Sequence, residues 1–286
     1  MTQSTTIPAA IQDKVQLHNR VSMPWLGLGV FKVEEGEALV QAIRSAVKHG
    51  YRSIDTAAIY ANESSVGQAI KEVIEEGLVT RDELFITSKV WNADLGYEET
   101  LAAYEASLDK LGLKQLDLYL IHWPVAGKYK EAWRALETLY KQGRVRAIGV
   151  SNFQIHHLED LMQDAEIKPV INQVEMHPKL TQIELQQFCA SHGIQLESWS
   201  PLMQGQLLDH PVLQNIAGAH GRSIAQIILR WNLQRGIVTI PKSITESRII
   251  ENGTIFDFSL SAQEMEQISG INENVRVGPD PDHIDF

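Results

Sequence analysis

The sequence predicts an α/β fold, a closed (β/α)8 barrel of the TIM type preceded by an N-terminal β-hairpin, and three observations carry that expectation. Eight short apolar segments recur along the 286 residues, a stretch of helical period follows each of them, and no low-complexity linker interrupts the alternation. Strands that are apolar throughout, rather than alternating, are buried on both faces and so belong to a parallel sheet. Eight such units in a chain of this length favour a closed barrel over an open, doubly wound sheet. One domain spanning residues 1–286 is expected.

Taken in order, residues 15–17 and 23–26 are apolar or alternating around the polar stretch 18–22, which predicts the hairpin. Residues 26–29 form the first buried strand; its GLG lacks the third glycine of a dinucleotide fingerprint, because Lys32 stands in that place, and a Rossmann reading is discarded. From Glu34 a stripe of Ala38, Leu39, Ala42, Ile43, Ala46 and Val47 marks a helix that ends at His49-Gly50. Residues 51–54 are the second strand, and the helix after it, 63–75, carries Val66, Ala69, Ile70, Val73 and Ile74 on one face. Further strands are expected at 84–88, 116–121, 145–150, 170–174, 194–198 and 237–240. Helical patterns lie near 98–111, 130–142, 156–163, 182–191 and 223–234. Residues 207–219 and 261–268 fall outside the eightfold alternation as two extra helices, and 277–286 forms a short Pro-rich C-terminal tail.

Composition narrows the functional classes. A hydrophobic fraction of 44% with 21% charged residues is ordinary globular material, and the net charge of −11 makes nucleic acid an unfavourable partner while leaving room for a local basic pocket for one small phosphate. The single cysteine, Cys189, lies in a helical pattern and reads as a small buried hydrophobe, so no disulfide forms within the chain. The N-terminal stretch MTQSTTIPAAIQ has no basic segment leading into an apolar core, and no run approaches the roughly 18 apolar residues of a membrane span. A cytoplasmic protein with no membrane partner is expected.

In such a barrel the active site lies at the carboxyl ends of the strands. There the second strand delivers Asp55, the third Lys89 and the fourth His122, and strands about 4.8 Å apart bring the three into one pocket. Tyr60 hangs over them from the connection after the second strand, YRSIDTAAIY. Singly, Lys89 reads equally well as a snorkelling strand-end lysine and His122 as a hydrogen-bonded core histidine. A carboxylate, an ammonium and an imidazole at three successive strand ends are costly to bury without a task. Carbonyl reduction supplies one: an ammonium lowers the pKa of a neighbouring phenol, Asp55 holds Lys89 charged, and a neutral His122 orients a carbonyl oxygen. No metal cluster or carboxylate pair is found at the strand ends, which disfavours a barrel hydrolase or isomerase. His156 and His157, adjacent on a helical pattern, are expected to point apart.

The stretches YRSIDTAAIYANE, ITSKVW, LYLIHWP, IGVSNF, NQVEMHP, SWSPL and IPKSITESRIIEN, in this order, resemble the aldo-keto reductases over nearly the whole chain. The resemblance implies an NADPH-dependent oxidoreductase reducing aldehydes and reactive ketones, with Asp55, Tyr60, Lys89 and His122 as catalytic tetrad and Tyr60 as general acid. It implies that Ser151, Asn152 and Gln173 bind the nicotinamide carboxamide and that Trp199, where the family often has tyrosine or phenylalanine, stacks on its ring beside Ser200 and Leu202. Lys242, Ser243 and Arg248 would hold the adenosine 2′-phosphate, and Glu251 and Asn252 would lie near the adenine. Phe31, Trp91 and Trp123, with His122, would wall a pocket for a small-molecule carbonyl, and the tail would partly cover its mouth, leaving a permissive site. The tail RVGPDPDHIDF is similar to that of the bacterial 2,5-diketogluconate and glyoxal or methylglyoxal reductase group. The family implies a monomer; its channel-associated subunits keep open the alternative of a non-catalytic NADPH-binding protein, against which the intact tetrad argues. Two departures stand out: Ala61 and Arg20 occupy positions where the family has glycine, and a left-handed backbone there would cost on the order of 1 kcal/mol.

Overall fold

The computed structural model describes residues 7–284 and 286. Half of the polar N-terminal stretch and Asp285 of the tail lie outside the described residues. The hairpin is present as β1 (Lys14–Gln16) paired antiparallel with β2 (Ser22–Pro24), with Val15 opposite Met23. His18 and Asn19 at its tip reach the backbone carbonyls of Pro169 and Arg146, at the amino-terminal ends of later strands. The hairpin therefore closes the end of the barrel opposite the expected site.

Eight parallel strands follow: β3 (Gly27–Gly29), β4 (Ser53–Asp55), β5 (Phe85–Val90), β6 (Leu116–Ile121), β7 (Val145–Ser151), β8 (Ile171–Glu175), β9 (Gln195–Trp199) and β10 (Val238–Thr239). Each pairs in parallel with its sequence neighbours. Bridges from Leu26 to Thr239 and from Gly29 to Lys242 bring the first strand back to the last. That seam needs a glycine, because a Cβ on Gly29 would stand 3.0 Å from the Ile240 carbonyl oxygen.

The barrel is wrapped by α1 (Glu37–Lys48), α2 (Glu63–Glu75), α3 (Tyr97–Leu111), α4 (Tyr129–Lys141), α5 (Ile155–Asp164), α6 (Ile183–His192), α8 (Ile224–Gln234) and α9 (Glu246–Gly253). Of the stripe read for the first helix, Leu39, Ala42, Ile43, Ala46 and Val47 are buried, while Ala38, in its first turn, is exposed. The two extra helices are α7 (Pro211–His220) and α10 (Ala262–Ser269). They bury Leu213, Ile216 and Ile268 against Ile227, Ile228 and Trp231 of α8, a second apolar cluster outside the barrel. Cys189 is buried and its thiol is pushed up to about 12 by that burial, as expected of a packing residue. Among the described residues no helix is long and apolar enough to cross a membrane.

Several strands run one or two residues past their expected ends, to Asp55, Val90, Ser151, Glu175 and Trp199. These added residues are mostly polar because the barrel lumen near its mouth is polar, and a polar residue at the end of an apolar run reads as a terminator. The second strand also starts later, at Ser53; Tyr51 is buried instead as the anchor of α9, donating its hydroxyl to the Ile249 carbonyl at 2.9 Å.

Candidate active site

The four expected residues converge at the carboxyl end of the barrel. Asp55 ends β4, Lys89 lies within β5, and His122 directly follows β6. Tyr60 closes a 3-10 turn, Ala58–Tyr60, that springs from β4. Lys89 is fully buried and donates from Nζ to Asp55 Oδ1 at 2.6 Å and to the Thr56 carbonyl at 2.9 Å. Its Nζ lies 5.1 Å from the centroid of the Tyr60 ring. The Tyr60 and His122 rings meet edge to face at 5.7 Å, with Trp91 on His122 at 5.3 Å.

Burial opposes the charge on Lys89, but Asp55 and Tyr60 outweigh it, so the ammonium holds its proton above the usual lysine range. His122 is driven well below 6.5, first by burial and then by Lys89, and is therefore neutral at pH 7. For Tyr60 the sequence argument is half right. Burial raises the phenol most, Lys89 lowers it and Asp55 raises it, and the net direction is upward rather than downward.

The residues expected around a nicotinamide are also assembled. Asn152 donates from Nδ2 to the His122 carbonyl at 3.0 Å and to Ser151 Oγ at 3.2 Å, and accepts from Trp199 Nε1 at 2.8 Å. Ser151 Oγ donates to the Gln173 carbonyl at 2.9 Å. Asn152 and Ser200 take positive φ values of 67° and 51°. For non-glycine residues this is strain of the kind found at ligand sites. Leu202 follows on the same turn, partly buried against the core. Lys242 and Arg248 are exposed just before and within the first turns of α9, and neither takes part in an ion pair among the described residues. Ser243 is buried and accepts from the Thr245 backbone N–H, Asn252 is buried, and Glu251 accepts from Ser223 Oγ at 2.6 Å.

Phe31 lies 4.9 Å from Tyr60 and is half exposed, while Trp123 is buried behind His122. The tail crosses the mouth: Phe286 stacks on Trp91 at 5.8 Å and meets Trp123 edge-on at 5.4 Å. Its earlier part is tied down by Glu175, whose carboxylate accepts from the Val277 N–H at 2.6 Å and the Gly278 N–H at 3.0 Å. Glu175 and its partner His177, 2.9 Å away, are fully buried.

One reading is corrected. His156 and His157 do not diverge: both Nε2 atoms reach Asp282 Oδ1, at 2.9 and 3.4 Å. They stand in the first turn of α5, where the tail passes across both, and long side chains bend to one acceptor. His157 Nδ1 accepts the Gln154 backbone N–H, so its Nε2 carries the proton and the trio is a clasp for the tail. A second carboxylate also stands near Asp55, supplied from the middle of β9 rather than from a strand end. Gln173 Nε2 donates at 2.8 Å to both Asp55 Oδ2 and Glu197 Oε2. Sequence reasoning missed Glu197 and Glu175; the signal was an acidic residue inside an apolar strand, in LES and QVE.

A (β/α)8 barrel with a buried Asp–Lys pair, a phenol and a neutral imidazole at its carboxyl end defines an oxidoreductase acting on carbonyl groups. The chain belongs to the aldo/keto reductase family, whose model matches residues 26–273. It is similar to the uncharacterized oxidoreductase YtbE of Bacillus subtilis (strain 168), 70% identical over 276 residues that cover 96% of this chain and 99% of the relative. It is 63% identical over 280 residues to glyoxal reductase of the same organism, covering 98% of this chain and 100% of the relative. Of solved structures, the Bombyx mori aldo-keto reductase in complex with NADP superposes with a TM-score of 0.89 at 38% identity, covering 96% of this chain and 97% of that one.

Proposed function

We propose that this chain reduces aldehydes and reactive ketones, small dicarbonyls foremost, to alcohols with NADPH, using Tyr60 as general acid. The observation that carries the reading is Lys89, an ammonium held without solvent between Asp55 and Tyr60. A barrel that only bound a nucleotide has no use for so costly an arrangement. The likeness to glyoxal reductase supports the substrate class, and the NADP of the Bombyx mori enzyme the cofactor.

The residues fit that cofactor. Trp199 offers an aromatic face beside the amide and hydroxyl groups of Ser151, Asn152 and Gln173, and the exposed Lys242 and Arg248 suit a phosphate near the start of α9. When bound, NADPH supplies hydride from nicotinamide C4. His122, neutral, donates an N–H toward the carbonyl oxygen and aligns it. Tyr60 keeps its proton through the neutral range and releases it to that oxygen as the oxygen becomes an alkoxide, whose conjugate acid is weaker than a phenol. Lys89 stabilises the phenolate that results, and Asp55 keeps Lys89 in place.

Tyr60→Phe is expected to bind NADPH with little change, followed by tryptophan fluorescence, and to lose at least about a hundredfold in kcat with methylglyoxal. Turnover near the parent rate would show that another group is the acid.

A further inference from the structure

Glu197 sits in the lumen of the barrel with no counter-ion of its own among the described residues. It is 1% exposed and in register with Gln173 of β8 on one side and Val238 of β10 on the other. The charged or titratable groups that face it are Asp55 from β4, Lys89 from β5 and Tyr60 from the 3-10 turn. Both hydrogens of the Gln173 amide are taken up by carboxylates, one on Asp55 Oδ2 and one on Glu197 Oε2. The single ammonium, Lys89 Nζ, is already committed to Asp55 Oδ1. Two buried carboxylates against one ammonium leave a negative charge that a low-dielectric lumen removes by binding a proton. Asp55 holds the ion pair, so the proton falls to Glu197.

We propose that Glu197 is a positioning residue of the tetrad: protonated, it leaves Lys89 free to act on Tyr60, and on ionising it sets a second negative charge near Lys89 that holds the proton on Tyr60, limiting carbonyl reduction at high pH. The proposal rests on the reading of Tyr60 as general acid. Burial first, and Asp55 second, push the Glu197 carboxyl up to about 8, against the opposing pull of Gln173 and Lys89. Ionised Glu197 in turn raises both Tyr60 and Lys89. The fall in reduction is therefore expected as pH rises through about 8.

Glu197→Gln keeps the shape and an acceptor for the Gln173 amide but cannot ionise. In this variant the alkaline fall of kcat/KM for methylglyoxal is expected to move up by about one pH unit or more. A second readout needs no turnover. The folded chain keeps a proton on Glu197 from the unfolded value of 4.5 up to about 8, so this group makes stability decline as pH rises through that window. The melting temperature of Glu197→Gln should therefore gain on the parent between those pH values and run parallel above them. Melting curves that stay parallel throughout, or alkaline limbs that coincide, overturn the role of Glu197. Retained turnover in Tyr60→Phe overturns the acid assignment alone, because it leaves the melting comparison untouched.

Discussion

Ala61, the residue after the proposed acid, has φ 53° and ψ 33°, in the left-handed region where a Cβ is unfavourable by roughly 1–2 kcal/mol. The position does need positive φ, and so does Arg20 in the hairpin, at φ 69°. Ala61→Gly is expected to stabilise the fold by about 1 kcal/mol, the relieved strain exceeding the extra freedom of glycine in the unfolded chain. Urea unfolding measures it, and an unchanged or lower midpoint would mean that the turn carries no strain. The convergence of Asp55, Tyr60, Lys89 and His122 was legible at this scale because three of them stand at strand ends, Tyr60 follows one connection later, and the four types together are chemically unusual. Glu197 was not, since it falls inside the expected strand 194–198 with no sign of which way its side chain points, and only the barrel's curvature shows that it meets Asp55. The net direction of Tyr60 was hidden for a related reason: Lys89 is visible in the sequence, whereas the burial that outweighs it is not.

Among elements, the tail is the one whose course the sequence left open. It was expected over the mouth, and it lies there, but its anchors, Glu175, Asp282 on the two histidines and Phe286 on Trp91, join positions far apart in the chain. No local pattern encodes such pairings, whereas helices with a 3.6-residue stripe, such as α2, were legible to the residue. At Gly278 an added Cβ would overlap the Trp199 ring and stand a tight 3.1 Å from Glu175 Oε2. Gly278→Ala is accordingly expected to displace the tail or the indole and to weaken NADPH several-fold while leaving the fold intact. Fluorescence titration tests this; an unaltered Kd would show that the tail does not bear on the cofactor platform.

Across the whole molecule the two ends of the barrel divide their work. At the amino-terminal end Asp117, fully buried, accepts from Arg81 at 2.8 Å, Arg146 at 2.6 Å and the Ile86 N–H at 2.8 Å, joining β5, β6 and β7. Asp117→Ala leaves the buried Ile86 N–H without its acceptor, while Arg81 and Arg146 stay partly in water and Arg81 keeps the Leu84 and Gln115 carbonyls, and is expected to cost about 1–3 kcal/mol. Denaturant titration would show this loss, while kcat/KM well below the melting temperature should stay within about twofold, because Asp55, Tyr60, Lys89 and His122 lie at the other end. The seam between β3 and β10 has a different kind of consequence. It joins positions 26 and 239, so the ring cannot shut until most of the chain has left the ribosome. Until then the edge of β3 has no partner on that side, and contacts so distant in sequence form late. Folding of this protein should therefore be limited by the arrival of its eighth strand, and variants that loosen the Leu26–Thr239 seam should show first as lower soluble yield during synthesis.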